Sequence, residues 1–144
     1  MTIHLLRVAV RVHSIADLRR KQDERLQERL KQGETRLYTF TRNLPKRVDD
    51  LIDGGCIYWI IKKYIRVRQR ILGVERHVNG EGRAYCAIQI DPEPMQVVAR
   101  RQKAFQGWRY LKPEDIPLDL DISETQVTDM PEEMANDLRE LGLI

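Results

Sequence analysis

The chain is poor in the residues that usually announce chemistry. Its 144 residues include only 2 cysteines, 3 histidines, 2 tryptophans and 2 phenylalanines. Cys56 and Cys86 each sit in an apolar segment, the setting of a buried free thiol rather than of a disulfide staple. With His4, His13 and His77 far apart they form no zinc-ligand spacing, so neither a metal nor a cofactor is expected. No Gly-x-Ser-x-Gly elbow, glycine-rich phosphate loop or HExxH helix occurs. An enzyme acting on a nucleotide or nucleoside is therefore the weaker alternative. It would need scattered groups such as Lys46, Asp49, Asp53 and Glu75 to converge in space. No apolar run approaches the roughly 18 to 20 residues of a membrane span, and Met1 to Val12 is interrupted by His4, Arg7 and Arg11. These absences point to a cytoplasmic protein without a membrane role, and leave the oligomeric state open.

What is abundant is charge, at 33% of residues. The net value of +3 conceals an asymmetry. Residues 1 to 110 carry 23 Lys or Arg against 12 Asp or Glu, a balance of +11, and residues 111 to 144 carry 2 against 10, a balance of −8. A basic body followed by an acidic segment suits either a polyanion partner or self-association of the two parts.

Periodicity predicts an α+β domain: a small bent mixed sheet or partly open barrel, with an N-terminal surface helix and a short C-terminal helix. Strands are expected at 3 to 12, 37 to 41, 84 to 90 and 97 to 100, and as a pair through the long stretch from Cys56 to Val74, turning at Lys62 and Lys63. A helix is expected from Ile15 to about Gln32, capped by Ser14 and closed by Gly33. Its apolar stripe is interrupted by polar Gln22, and its cations Arg20, Lys21, Arg25 and Arg29 read as a solvated face. A brief helix from Leu44 to Ile52, capped by Asn43, is expected to end at Asp53, Gly54 and Gly55. The body is assigned to residues 1 to 118. Residues 119 to 144 are an acidic extension whose Met130, Met134, Leu138 and Leu141 recur at helical intervals.

The strongest local pattern is Tyr64, Arg66, Arg68, Arg70. In a regular strand these four share one face, repeating about every 7 Å, while Ile65, Val67, Gln69 and Ile71 share the other. Such a row either binds phosphates, with Lys62, Lys63 and Arg109 helping and Tyr64 or Trp108 stacking on bases, or is neutralised by the protein's own carboxylates. The run from Phe105 to Tyr110 reads more readily as an aromatic anchor than as a nucleic-acid contact. The function these patterns favour is a non-catalytic RNA- or nucleotide-binding module, a modified nucleotide included. The alternative is a protein-interaction module whose acidic C-terminal helix docks on the basic body or on a partner.

The stretches NLPKRVDDLIDGGCIYWIIKKYIRVRQRIL (43 to 72) and FQGWRYLKPEDIP (105 to 117), with the opening MTIHLLRV, resemble the bacterial family catalogued as domain of unknown function 1489. The resemblance covers residues 1 to about 120. It implies a cytoplasmic bacterial protein and supplies no catalytic residues. It also associates a small or aliphatic residue with the place of Cys56 and a glycine with that of Lys63. A looser, fold-level likeness is to the small RNA-binding barrels of the PUA, ASCH and EVE group, through Asp53, Gly54, Gly55 and the IYWII that follows.

Overall fold

A computed structural model describes residues 2 to 120 of the chain. In chain order they form β1 (His4–Val8), α1 (Ile15–Lys31), β2 (Leu37–Thr41), α2 (Val48–Ile52), β3 (Cys56–Ile61), β4 (Tyr64–Val78), β5 (Ala84–Ile90), β6 (Met95–Arg101) and β7 (Trp108–Leu111). The seven strands make one open sheet in the order β2-β5-β4-β3-β1-β7, with β6 also pairing β4. This is the mixed α+β architecture that the periodicity predicts.

The 15-residue strand β4 organises the sheet. Its first half pairs with β3 on one side and β6 on the other, and its second half pairs with β5. The Asp91 N–H donates to the Arg70 carbonyl at 2.9 Å, between the two zones. Pro92 and Pro94 keep the intervening segment out of the ladder because they have no N–H to give. β1 joins β3 in parallel, which requires the long crossover through α1, β2 and α2.

Turn chemistry explains the tightest corners. Lys62 and Lys63 have φ of 48° and 70°, the left-handed pair that a two-residue hairpin turn demands. The glycine that the family resemblance associates with position 63 would adopt this conformation without a side-chain penalty. At Gly55 a Cβ would stand 2.3 Å from the Leu51 carbonyl oxygen and 2.4 Å from that of Ile3, so only glycine lets α2 meet the start of β1.

Helix α1 begins as predicted: Ser14 Oγ accepts the Asp17 N–H at 3.0 Å, and Asp17 Oδ2 accepts the His13 N–H at 3.0 Å. Gln22, the polar interruption of its stripe, is buried and forms a reciprocal amide pair with Gln69 of β4, both bonds 2.7 Å. Gln69 Oε1 also accepts the Trp59 indole N–H at 2.8 Å, and Gln69 Nε2 donates to the Asp91 carbonyl at 3.0 Å. The core on this face contains Leu5, Leu18, Leu37, Ile57, Val67, Ile88 and Ile90. Each such fully buried side chain contributes about 1.5–3 kcal/mol. A smaller cluster of Leu6, Tyr58, Ile60, Ile65 and Val97 lies on the other face.

Several boundaries differ from the sequence expectation. β1 ends at Val8 instead of Val12, because Arg11 turns the chain with φ of 62°. α2 covers only Val48–Ile52, with no side-chain cap at its start. β7 is an additional strand, paired with β1 from His4↔Leu111 to Arg7↔Trp108. The chain stays docked on β6 through Leu120, whose N–H donates to the Gln96 carbonyl at 2.9 Å. The expected C-terminal helix around Met130 to Leu141 lies outside the described residues. No helix among those described is long and apolar enough to cross a membrane.

Candidate functional site

The expected one-sided row on β4 is interrupted at its centre. Trp59 pairs with Val67 and Ile60 with Ile65, leaving Arg66 as the extra residue of a β-bulge. A bulge breaks the two-residue alternation, and Arg66 is 1% exposed. Arg68 is clamped by Asp119, Nε to Oδ1 at 2.6 Å and Nη2 to Oδ2 at 2.7 Å. That hydrogen bonding holds Arg68 above its ordinary pKa and Asp119 below its own. Arg70 is exposed, Tyr64 half-buried, and Lys62 and Lys63 project from the hairpin turn. Arg70 stands about 20 Å from that turn along the strand, at roughly 3.3 Å per residue.

The aromatic run at 105 to 110 ties down the loop before α2. Trp108 donates its indole N–H to the Asn43 carbonyl at 3.0 Å, and the Tyr110 hydroxyl accepts the N–H groups of Lys46 and Arg47 at 2.9 and 3.1 Å. Arg109 is exposed, its guanidinium 4.3 Å from the Phe105 ring centre. β7 lies three strands from β4 in sheet order. Of the scattered polar groups, Glu75 bonds His77 at 3.0 Å on the distal half of β4, and the Asp53 carbonyl accepts the Thr2 hydroxyl at 2.6 Å.

A concave site does exist elsewhere, at the mouth of the bent sheet. In sheet order β1 and β2 are four strands apart, yet Arg7 Nη1 donates to Thr39 Oγ1 at 2.8 Å. Curvature has brought the two strands face to face, and a cavity of about 460 Å³ lies between them under α1. Its cations are Arg7, Lys21 and Arg25, and Tyr38, Phe40 and Trp59 are among its lining residues. Among the described residues no aspartate, glutamate, histidine or cysteine lines it.

Arg7 is central because of its phase. Residues 5, 7 and 9 share one face of β1, and Leu5 and Ala9 are buried in the core. Register sets Arg7 directly opposite Trp59 on one side and Trp108 on the other. Burial depresses its pKa, and the nearby Arg25 charge depresses it further. Among the described residues neither Arg7 nor Arg25 forms an ion pair, whereas Lys21 is tied to Asp17 at 3.5 Å. On the same helix Arg29 covers the Tyr38 ring at 4.7 Å. Part of the helix face expected to be solvated thus turns toward the cavity. The Gln22–Gln69 pair fixes the Trp59 ring in its floor, since Gln69 holds the indole N–H.

Sequence reasoning missed this grouping. A signal was present, an arginine in core phase within an aliphatic strand, but only the fold shows that β2 and α1 close over it. The described residues contain no cluster of metal-ligating side chains. The chain matches no curated protein and no solved structure, so the likeness to the PUA group has no support. A family model, by contrast, matches residues 5–144. That span includes the acidic segment, which lies beyond the resemblance over residues 1 to about 120. By this match the chain belongs to the family described as Protein of unknown function (DUF1489).

Proposed function

We propose that the protein is a binding module for a phosphate-bearing nucleotide unit of single-stranded RNA, which it takes at the mouth cavity between β1, β2 and α1. One observation carries the reading: a half-buried arginine, repelled by a second arginine, lines a cavity to which the described residues bring no carboxylate. Such a charge costs stability in the free protein and is relieved by an incoming anion. Guanidinium groups match phosphate oxygens in a bidentate way, and the lining includes the aromatic residues Tyr38, Phe40 and Trp59. A cavity of about 460 Å³ is of small-ligand size. Among the described residues the lining has no carboxylate, imidazole or thiol, the commonest general bases and nucleophiles, which favours binding over hydrolysis.

The polar floor has little left for sequence readout, since the Gln22 and Gln69 amides are engaged with each other. Recognition then rests on charge and stacking and tolerates different bases. The test is fluorescence anisotropy of a labelled oligouridylate with the full chain at low salt. Arg7→Met should weaken binding about tenfold or more, as expected for loss of a charge-assisted contact. Absence of salt-sensitive binding, or full affinity in Arg7→Met, would rule the reading out.

A further inference from the structure

A second cavity, of about 350 Å³, opens on the other side of the end of β1. It lies against the turn from Ala104 to Gly107, and it shares Arg7, Val8 and Val10 with the first. The tip of β1 is therefore a ridge between two lobes. The two lobes differ in chemistry. The α1 lobe adds Lys21, Arg25 and Trp59; the turn lobe adds Phe105 and Gln106, with the Arg109 guanidinium 4.3 Å from the Phe105 ring centre. Arg7 is the one cation common to both.

We infer that the site takes two consecutive nucleotides of a chain, with the phosphodiester between them on Arg7 and one nucleoside in each lobe. This deepens the nucleotide-binding reading and rests on it. A ligand suited to the arrangement carries a single anionic group between two flat, uncharged halves. A phosphodiester linking two nucleosides has that form, whereas a free mononucleotide ends in its charge and leaves one lobe empty. In the turn lobe the exposed Gln106 amide has donors and an acceptor for a base edge. The half-buried Phe105 ring adds apolar contact there.

The inference makes a prediction opposite to that of simple charge attraction. Uridine monophosphate carries a terminal phosphate of nearly two negative charges near neutral pH, and the dinucleoside monophosphate UpU carries one. A cavity acting only through its cations binds the monophosphate more tightly. A two-lobed site binds UpU more tightly, by about tenfold if the second base is stacked. Calorimetric titration of the full chain with each compound separates these outcomes. Ala104→Trp, at an exposed position, fills the turn lobe without touching the α1 lobe. It should abolish the preference for UpU and leave monophosphate affinity unchanged; Gln106→Ala should reduce the preference partially. Equal or weaker binding of UpU alongside intact monophosphate binding overturns the two-lobed assignment and spares the nucleotide reading. Binding of neither compound overturns both.

Discussion

Arg7 and Arg68 are side chains of one type on neighbouring parts of one sheet, and the protein treats them in opposite ways. Arg68 meets the Asp119 carboxylate in a two-bond fork that raises its pKa. Among the described residues Arg7 meets a threonine hydroxyl and no carboxylate, and its pKa is pushed down by burial and by Arg25. The first arginine is neutralised from within the fold; the second has no counter-charge among the described residues. Counting cations along a strand therefore says little about where an anion would bind. What matters is which guanidinium the fold has left uncompensated inside a concavity.

Substitutions distinguish the two environments. The largest effect is expected at Gln69, which holds the cavity floor. Gln69→Leu strands the Gln22 amide, the Trp59 indole N–H and the Asp91 carbonyl, and should cost about 2–4 kcal/mol by chemical denaturation. A change below about 0.5 kcal/mol would show that the network does not support the floor. Next come the arginines themselves, read by thermal melting. Arg68→Met should lower stability by roughly 1 kcal/mol, because Asp119 loses its fork. Arg7→Met should leave the melting temperature unchanged or raised, because a repelled, half-desolvated charge is removed. The reverse order would contradict the contrast drawn between them.

Acid titration probes the Arg68 side more gently. His4 Nδ1 accepts the Cys56 N–H at 3.0 Å, and burial, followed by the Arg68 charge, lowers its pKa. The stability due to neutral His4 is complete above about pH 6.5, the unfolded value. It is lost as pH falls from there toward the lowered folded value, where the unfolded chain binds more protons. Melting temperatures should therefore fall from about pH 7 to 5, and His4→Gln should flatten that slope. Asp119 behaves similarly at lower pH. Its folded pKa is depressed, so its contribution holds above about pH 4 and disappears as pH falls through the folded value. Asp119→Asn should cost under about 1 kcal/mol, since its carboxylate is half exposed. The smallest change is a gain: Lys63→Gly relieves a side chain at φ of 70° and should stabilise by about 0.5–1 kcal/mol.

Much of the fold was legible because local rules acted unopposed. Ser14 and Asp17 fixed the start of α1, the apolar β-branched run gave β3 and β4, and Lys62–Lys63 marked their turn. β7 was not legible, since Trp108 to Leu111 is too short for alternation to register and its aromatics were already accounted for as anchors. The candidate site was half legible. Gln22 and Gln69 both sit in core phase, a sign of two buried amides seeking each other across 47 residues. Arg7 sits in core phase too. Its partner strand is distant in both sequence and sheet order, so periodicity could not place Thr39 beside it. The row at Arg66, Arg68 and Arg70 looked regular because a bulge has no signature in an alternating pattern.

If Arg7, and not the arginines of β4, meets the phosphate, Arg7→Met and Arg68→Met differ in the salt dependence of oligouridylate binding. On single strands each neutralised phosphate contributes about 0.7 to the slope of log affinity against log salt. The account predicts that Arg7→Met loses about that much slope while Arg68→Met keeps the parent's. Loss of slope in Arg68→Met with the parent's slope retained in Arg7→Met would contradict it.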